Sequence, residues 1–264
     1  MPDSTVTLAM DGGVARVTLA RPDVRNAFNA DVIRELHAIF TRLSGDGAVR
    51  AVVLAGEGKV FCGGADINWM RASLELSFDQ NVADAERMSE MYRAIDRCSK
   101  PVIARIHGAA LGGGAGLAAV CDVAIASDDA LFGFTETKLG IIPAVISPFV
   151  IAKIGMSHAR ALFLTGQKFD AAAAMHVGLV HKIVPPVELG AAVEYCLEEI
   201  FTAGPAAVGA AKLLVRRVID SSYDDTRAIT ARAIAQQRAG AEGQEGLRAF
   251  LERRLPSFAK DLES

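Results

Sequence analysis

HGAALGGGAGLAAVCDVAIAS, residues 107–127, decides the fold. Its first part, Ala109–Gly116, is a glycine-rich turn that runs into an apolar helix. Asp122-Val-Ala-Ile-Ala-Ser127 then reads as a strand. Upstream, Pro101-Val-Ile-Ala-Arg-Ile106 is a further apolar run of strand length. Strand, glycine turn, helix and strand in that order make an α/β unit, whose strands read as continuous apolar runs because both faces are covered.

Working outward, Ala51–Ala55 is another buried, parallel-type strand. Before it, Thr5–Met10 and Val14–Leu19 flank Asp11-Gly12-Gly13 and predict a β-hairpin. Asn29 or Asp31 is placed to cap a helix through Leu43, with Val32, Leu36, Ile39, Phe40 and Leu43 on one face. Asp84–Asp96 has helical spacing of Met88, Met91, Tyr92 and Ile95. Leu131–Phe134 reads as a short strand and Glu136–Leu139 as a helical turn. From Ser147 the pattern is mostly helical, with Ser157 and Asp170 as N-caps and Gly166 and Gly178 as stops. One short strand is expected within 180–184, then helices near 187–202, 205–220, 224–239 and 243–254. The class is α/β, with a core over 1–200 and a helical region over 201–264.

Composition narrows the function. The chain has 264 residues, 51% hydrophobic and 22% charged, enough for a deep core. A net charge of −3 without a Lys/Arg block gives no reason to expect nucleic acid. Cys62, Cys98, Cys121 and Cys196 form no CxxC pair and no zinc-type cluster with the five histidines. Free thiols, no signal-like start and no long apolar run predict a cytoplasmic chain with no membrane span and no metal.

Three segments carry chemistry. Phe61-Cys-Gly-Gly-Ala-Asp66 and Ala110-Leu-Gly-Gly-Gly-Ala-Gly116 each lead from a strand toward a helix. Small residues let a ligand approach the backbone, and N–H groups at a helix start point outward without intrahelical partners. Two such loops side by side offer two donors to one oxygen, an oxyanion hole; tight packing is the alternative. Neither loop has a phosphate-loop or dinucleotide spacing, and no GxSxG elbow occurs. In the third segment, Phe132–Pro143, Glu136 stands among apolar residues that would raise its pKa. The alternative is a helix-start glutamate favoured by the dipole, with Lys138 as solvated company.

Together these segments resemble the enoyl-CoA hydratase/isomerase (crotonase) family. The resemblance runs over residues 5–255: Arg25-Asn-Ala-Phe-Asn29, FCGGADI (61–67), the stretch quoted first, FGFTETKLGIIP (132–143) and LTGQKFDAAAAMHVGLVHKIVP (164–185). It implies a crotonase-like spiral of ββα units with a helical C-terminal region that assembles trimers or pairs of trimers. It implies an acyl-CoA thioester as partner, with coenzyme A entering as part of the substrate and no separate cofactor. Carried over, the oxyanion donors fall on Ala65 and Gly113, and the acid/base on Glu136. Arg25, Ala27, Phe28 and the Gly63–Ile67 loop, Asp66 included, would line the CoA path; Leu111, Gly116, Thr135 and Leu139 would be further substrate-binding residues. Lys260 would meet CoA phosphates of a neighbouring subunit.

One position departs from the pattern. Ordinary hydratases of the family carry two catalytic glutamates; one matches Glu136 and the other falls on Gly116. Glycine inside a helix costs about 1 kcal/mol relative to alanine, which suggests a reason such as room for a branched acyl group. TETKLGIIPAVISPFVI (135–151) is most similar to methylglutaconyl-CoA hydratases of leucine catabolism. The resemblance therefore implies a hydratase, with Δ3,Δ2-enoyl-CoA isomerase and a non-catalytic acyl-CoA-binding protein as alternatives. His107, Cys62, Cys121 and Asp122 read as structural, and Trp69 and Met70 as acyl cover or core.

Overall fold

The computed structural model describes residues 4–259, so Lys260 lies outside the described residues. The hairpin forms as expected: β1 (Val6–Asp11) pairs antiparallel with β2 (Val14–Leu19). Gly12 and Gly13 both take positive φ, 54° and 95°, the geometry a tight two-residue turn needs. β3 (Ala51–Gly56), β4 (Val102–Ile106), β6 (Val123–Ser127) and β9 (Lys182–Val184) then add in parallel, giving the order β1-β2-β3-β4-β6-β9. A second sheet holds β5 (Ala109–Leu111), β7 (Leu131–Gly133) and β8 (Lys168–Asp170).

The two sheets are wound together. β4 in the larger sheet is followed by β5 in the smaller one, then by α4 (Gly113–Val120). β6 and β7 repeat the step and lead to α5 (Ser147–Thr165). One turn earlier, β3 is followed by an isolated parallel bridge between Cys62 and Ala110, then by α2 (Ile67–Ser73) and α3 (Phe78–Asp96). This is the expected spiral of ββα units, and it places the segments after β3, β4 and β6 side by side.

Helix starts follow local chemistry. Asn29 caps α1 (Ala30–Gly45) by accepting the Val32 N–H, and Asp170 caps α6 (Ala171–His176) through Ala173. α3 starts six residues earlier than the apolar spacing predicts, at Phe78 instead of Asp84. A capping box accounts for this: Ser77 accepts the Gln80 N–H while the Gln80 side chain accepts the Ser77 N–H. A new helical stretch does begin close to the expected Ser157. Ser157 lies inside α5, beyond a break at Gly155 with φ 74°.

The chain divides into two compact units. The first runs to Cys98 and resumes over Val102–Val193; the second takes Ser99–Pro101 and the residues from Glu194 onward. The division falls within α7 (Leu189–Thr202), a few residues before the expected 200/201. In the second unit, α8 (Pro205–Ile219), α9 (Tyr223–Ala239) and α10 (Ala241–Glu252) follow one another. Glu242 of α10 accepts the N–H groups of Ala206 and Ala207, which serves the uncapped start of α8. Among the described residues no helix is long and apolar enough to cross a membrane.

Candidate active site

The first glycine loop is tied on both flanks. The Phe28 N–H donates to Gly64 at 2.7 Å, and the Asp66 N–H donates to Phe28 at 2.8 Å. Gly63 donates to Arg25, also at 2.8 Å. Ala65 lies between these anchored amides, in a parallel bridge with Phe28. Asn26 underpins the same turn, donating from its amide to Glu57 and Val60 at 2.8 Å each.

Asp66 is buried and caps α2 by accepting the Asn68 and Trp69 amides. Its carboxylate also accepts from the Arg21 guanidinium at 2.8 Å. Burial pushes its pKa up, but the hydrogen bonds from Arg21, Asn68 and Trp69 outweigh it and hold the carboxyl below its usual value. Asp66→Ala leaves the Arg21 guanidinium without its charged partner, with only the Ala27 carbonyl at 2.6 Å among the described residues, and removes the cap. It is expected to cost about 2–4 kcal/mol in urea unfolding, whereas a loss below about 0.5 kcal/mol would contradict this role.

The second loop is locked to the first. Cys62 donates its N–H to Ala109 and accepts the Leu111 N–H, both at 3.0 Å. Gly112 donates to Gly133 at 2.8 Å, and its φ of 51° with ψ −120° is open only to glycine. The chain turns there into α4, so Gly113 is its first residue and the Gly113 N–H has no intrahelical acceptor.

Glu136 opens the helical turn Glu136–Leu139 directly after β7. That turn is fixed by the Thr137 hydroxyl, which donates to Phe163 of α5 at 3.0 Å. The Glu136 carboxyl leans on the second loop: its Oε1 is 3.2 Å from where a Cβ on Gly112 would be. Its Oε2 is buried without a hydrogen-bond partner. Burial raises the pKa of this carboxyl, partly offset by a hydrogen bond from its own backbone N–H.

A cavity of about 430 Å³ is bounded by Ala65, Gly113 and Glu136 together. Of the other expected residues, Gly63, Thr135 and Leu139 also line it, as do Trp69 and Met70. Seven do not. Arg25 is exposed beside Gly63, and Ile67 is exposed at the start of α2. Ala27, Phe28 and Asp66 are buried supports of the first loop, and Leu111 backs Gly64. The seventh is Gly116.

Gly116 requires a correction. The expectation was space for a branched acyl group. The residue is buried, and a Cβ there would collide with Ile146 and come within 3.1 Å of the Tyr92 hydroxyl. The space that even the first side-chain carbon at 116 would need is filled by protein. Tyr92 and Ile146 carry no chemical motif, so sequence reasoning missed them; only the helical spacing of Tyr92 marked it as buried.

The remaining candidates fall into structural roles. His107 Nε2 bonds the Gly58 carbonyl at 2.9 Å. Asp122 accepts the Val102 N–H at 2.7 Å, a bond between adjacent strands and not a local one. Cys62 is buried with its thiol pushed up to about 12, out of range for a nucleophile. Among the described residues no group of three or more His, Cys, Asp or Glu is placed to hold a metal.

Two glycine loops, one leading into the cap of α2 and one into the first turn of α4, thus stand with one desolvated carboxylate on the walls of a single cavity. Comparison with known proteins places the chain in a family. The enoyl-CoA hydratase/isomerase family model matches residues 9–261, and the chain belongs to that family. It is 33% identical over 257 residues to the short-chain-enoyl-CoA hydratase of Clostridium acetobutylicum, covering 95% of this chain and 96% of that protein. Pseudomonas aeruginosa AtuE superposes with a TM-score of 0.94 at 37% identity, covering 97% of this chain and all of that one. An enoyl-CoA hydratase from Mycobacterium smegmatis superposes at 0.93 with 33% identity, covering 97% and 99%.

Proposed function

We propose that the protein is an enoyl-CoA hydratase that adds water across a 2-enoyl-CoA thioester, with Glu136 as its acid/base. The observation that carries the reading is that Glu136, whose Oε2 is buried and unpartnered, lines the cavity that Ala65 and Gly113 also bound. The thioester oxygen accepts the N–H groups of Ala65 and Gly113. Glu136 takes a proton from water as the water oxygen bonds to C3, and the π electrons move onto the thioester oxygen as an enolate. The enolate then takes a proton at C2 from the Glu136 carboxylic acid. Two amide donors stabilise the enolate by several kcal/mol in all.

With the place beside Gly116 filled, one carboxylate performs both transfers. The free enzyme then needs Glu136 ionised, so kcat/KM is lost as pH falls through the raised pKa of Glu136. We expect a single acid limb, displaced above the ordinary glutamate range of about 4.3, and no second ionisation on the alkaline side up to pH 9. A bell-shaped profile from a steady-state pH series would instead require a second working acid.

The cavity also bears on the acyl group. Among the described residues that line it, the charged ones are Glu136 and Asp84, both acidic. A carboxylated acyl chain would meet no cation there. This supports an uncharged 2-enoyl group ahead of 3-methylglutaconyl-CoA, and initial rates on crotonyl-CoA and 3-methylglutaconyl-CoA side by side test the order. Higher kcat/KM on the carboxylated substrate would overturn it. A single carboxylate also suits Δ3,Δ2-isomerisation, the second reading, which predicts conversion of a 3-enoyl-CoA to the 2-enoyl form faster than water addition. The reading includes a cytoplasmic setting, Arg25 beside the CoA path, and assembly as a trimer or pair of trimers, which light scattering checks.

A further inference from the structure

α4 is short and begins poorly for a helix. Its first four residues are Gly113-Gly114-Ala115-Gly116, preceded by Gly112. Glycine loses the most conformational freedom on ordering, so such a turn is soft unless something outside the helix restrains it. The proposed function asks this turn to aim the Gly113 N–H at one point.

The restraint comes from α3. The Tyr92 hydroxyl donates to the Gly113 carbonyl at 2.7 Å. It lies 3.1 Å from a Cβ placed on Gly116 and 3.0 Å from one on Gly113. The phenol itself cannot drift. It is fully buried, with its ring 6.3 Å from that of Phe28 and 5.7 Å from that of Phe149. Burial, with the Cys62 thiol and the Glu136 carboxylate near it, pushes the phenol well above its ordinary pKa, so it stays a donor. It is not on the cavity wall and touches no reacting atom.

We propose that Tyr92 is a positioning residue: its hydrogen bond to the Gly113 carbonyl clamps the first turn of α4 and keeps the Gly113 N–H directed at the thioester oxygen. This rests on the proposed function. The position beside Gly116 thus serves the oxyanion hole and not proton transfer.

Tyr92→Phe keeps the ring and leaves no buried polar group stranded, because the helix ladder still bonds the Gly113 carbonyl. We expect kcat to fall about tenfold, less than the 10²–10³-fold that loss of an oxyanion donor itself brings, with KM changed less than twofold. Acetoacetyl-CoA supplies a reading of the hole alone, because its bound enolate absorbs in the near ultraviolet. That band should weaken in Tyr92→Phe. Phe149→Leu, which loosens the same aromatic cluster but keeps the hydroxyl, should lower the melting temperature more and leave both kcat and the band within twofold. Unchanged kcat and an unchanged band in Tyr92→Phe would overturn the proposal. So would an equal loss in Phe149→Leu, since packing alone would then explain it. If the wild-type protein turns over no enoyl-CoA, the proposed function fails while the enolate band still decides the role of Tyr92.

Discussion

Glu136→Gln is expected to lower kcat for hydration about a thousandfold, within the 10²–10⁴ range that a positioned acid/base supplies. KM should change by no more than a few fold. The substitution keeps the shape of the side chain and the loop contact beside Gly112, but the amide neither takes a proton from water nor returns one to C2. Position 116, where the family's second carboxylate would fall, carries no group that could substitute. Residual rate over water would come from the amides of Ala65 and Gly113. Stability should move the other way. The folded-state pKa of Glu136 is raised, so its ionised form penalises the fold as pH climbs above the ordinary glutamate value. At neutral pH the neutral amide removes that penalty, and the melting temperature should hold or rise. Loss of activity without loss of stability separates a working group from a structural one. A variant that keeps a tenth or more of the rate would exclude Glu136 as the acid/base.

Gly116→Glu is expected to destroy the protein's stability and restore nothing. The first added carbon already collides with Ile146. Overpacking of this kind costs about 1–3 kcal/mol, against about 1 kcal/mol regained from helix propensity. The longer side chain starts from a buried backbone position with its Cβ already 3.1 Å from the Tyr92 hydroxyl, and a charge left unpaired there adds several kcal/mol. A fall in melting temperature of more than about 10 °C, or loss from the soluble fraction, is the expected result. Gly116→Ala tests the same geometry more gently. It should lower stability despite its better helix propensity. Were the space open for an acyl branch, Gly116→Ala would be neutral or stabilising, and its effect would appear as a higher KM for branched substrates.

These two residues show what could be read in the sequence and what could not. The hairpin, the parallel strands and the cap of α1 were legible because each rests on neighbours: Gly12-Gly13 in a tight turn, unbroken apolar runs, Asn29 three residues before Val32. The first turns of α3 were not. Phe78 there is largely exposed, 81%, so no apolar periodicity marks it, and only Ser77 with Gln80 signals the start. β8 escaped because three residues carry too little pattern. In the site, Glu136, Ala65 and Gly113 were singled out together only through the family resemblance, and they share one cavity. The meaning of Gly116 was not legible, because it depends on Ile146 and Tyr92, which are distant in sequence and meet it only through the packing of α3 and the segment before α5.

The most direct test of the account is the mass of the acyl product when purified protein acts on crotonyl-CoA in ¹⁸O-labelled water. The account predicts a product heavier by one labelled water, formed by the wild-type protein and nearly absent with Glu136→Gln. An acyl group of unchanged mass, or labelled product formed equally well by Glu136→Gln, would contradict it.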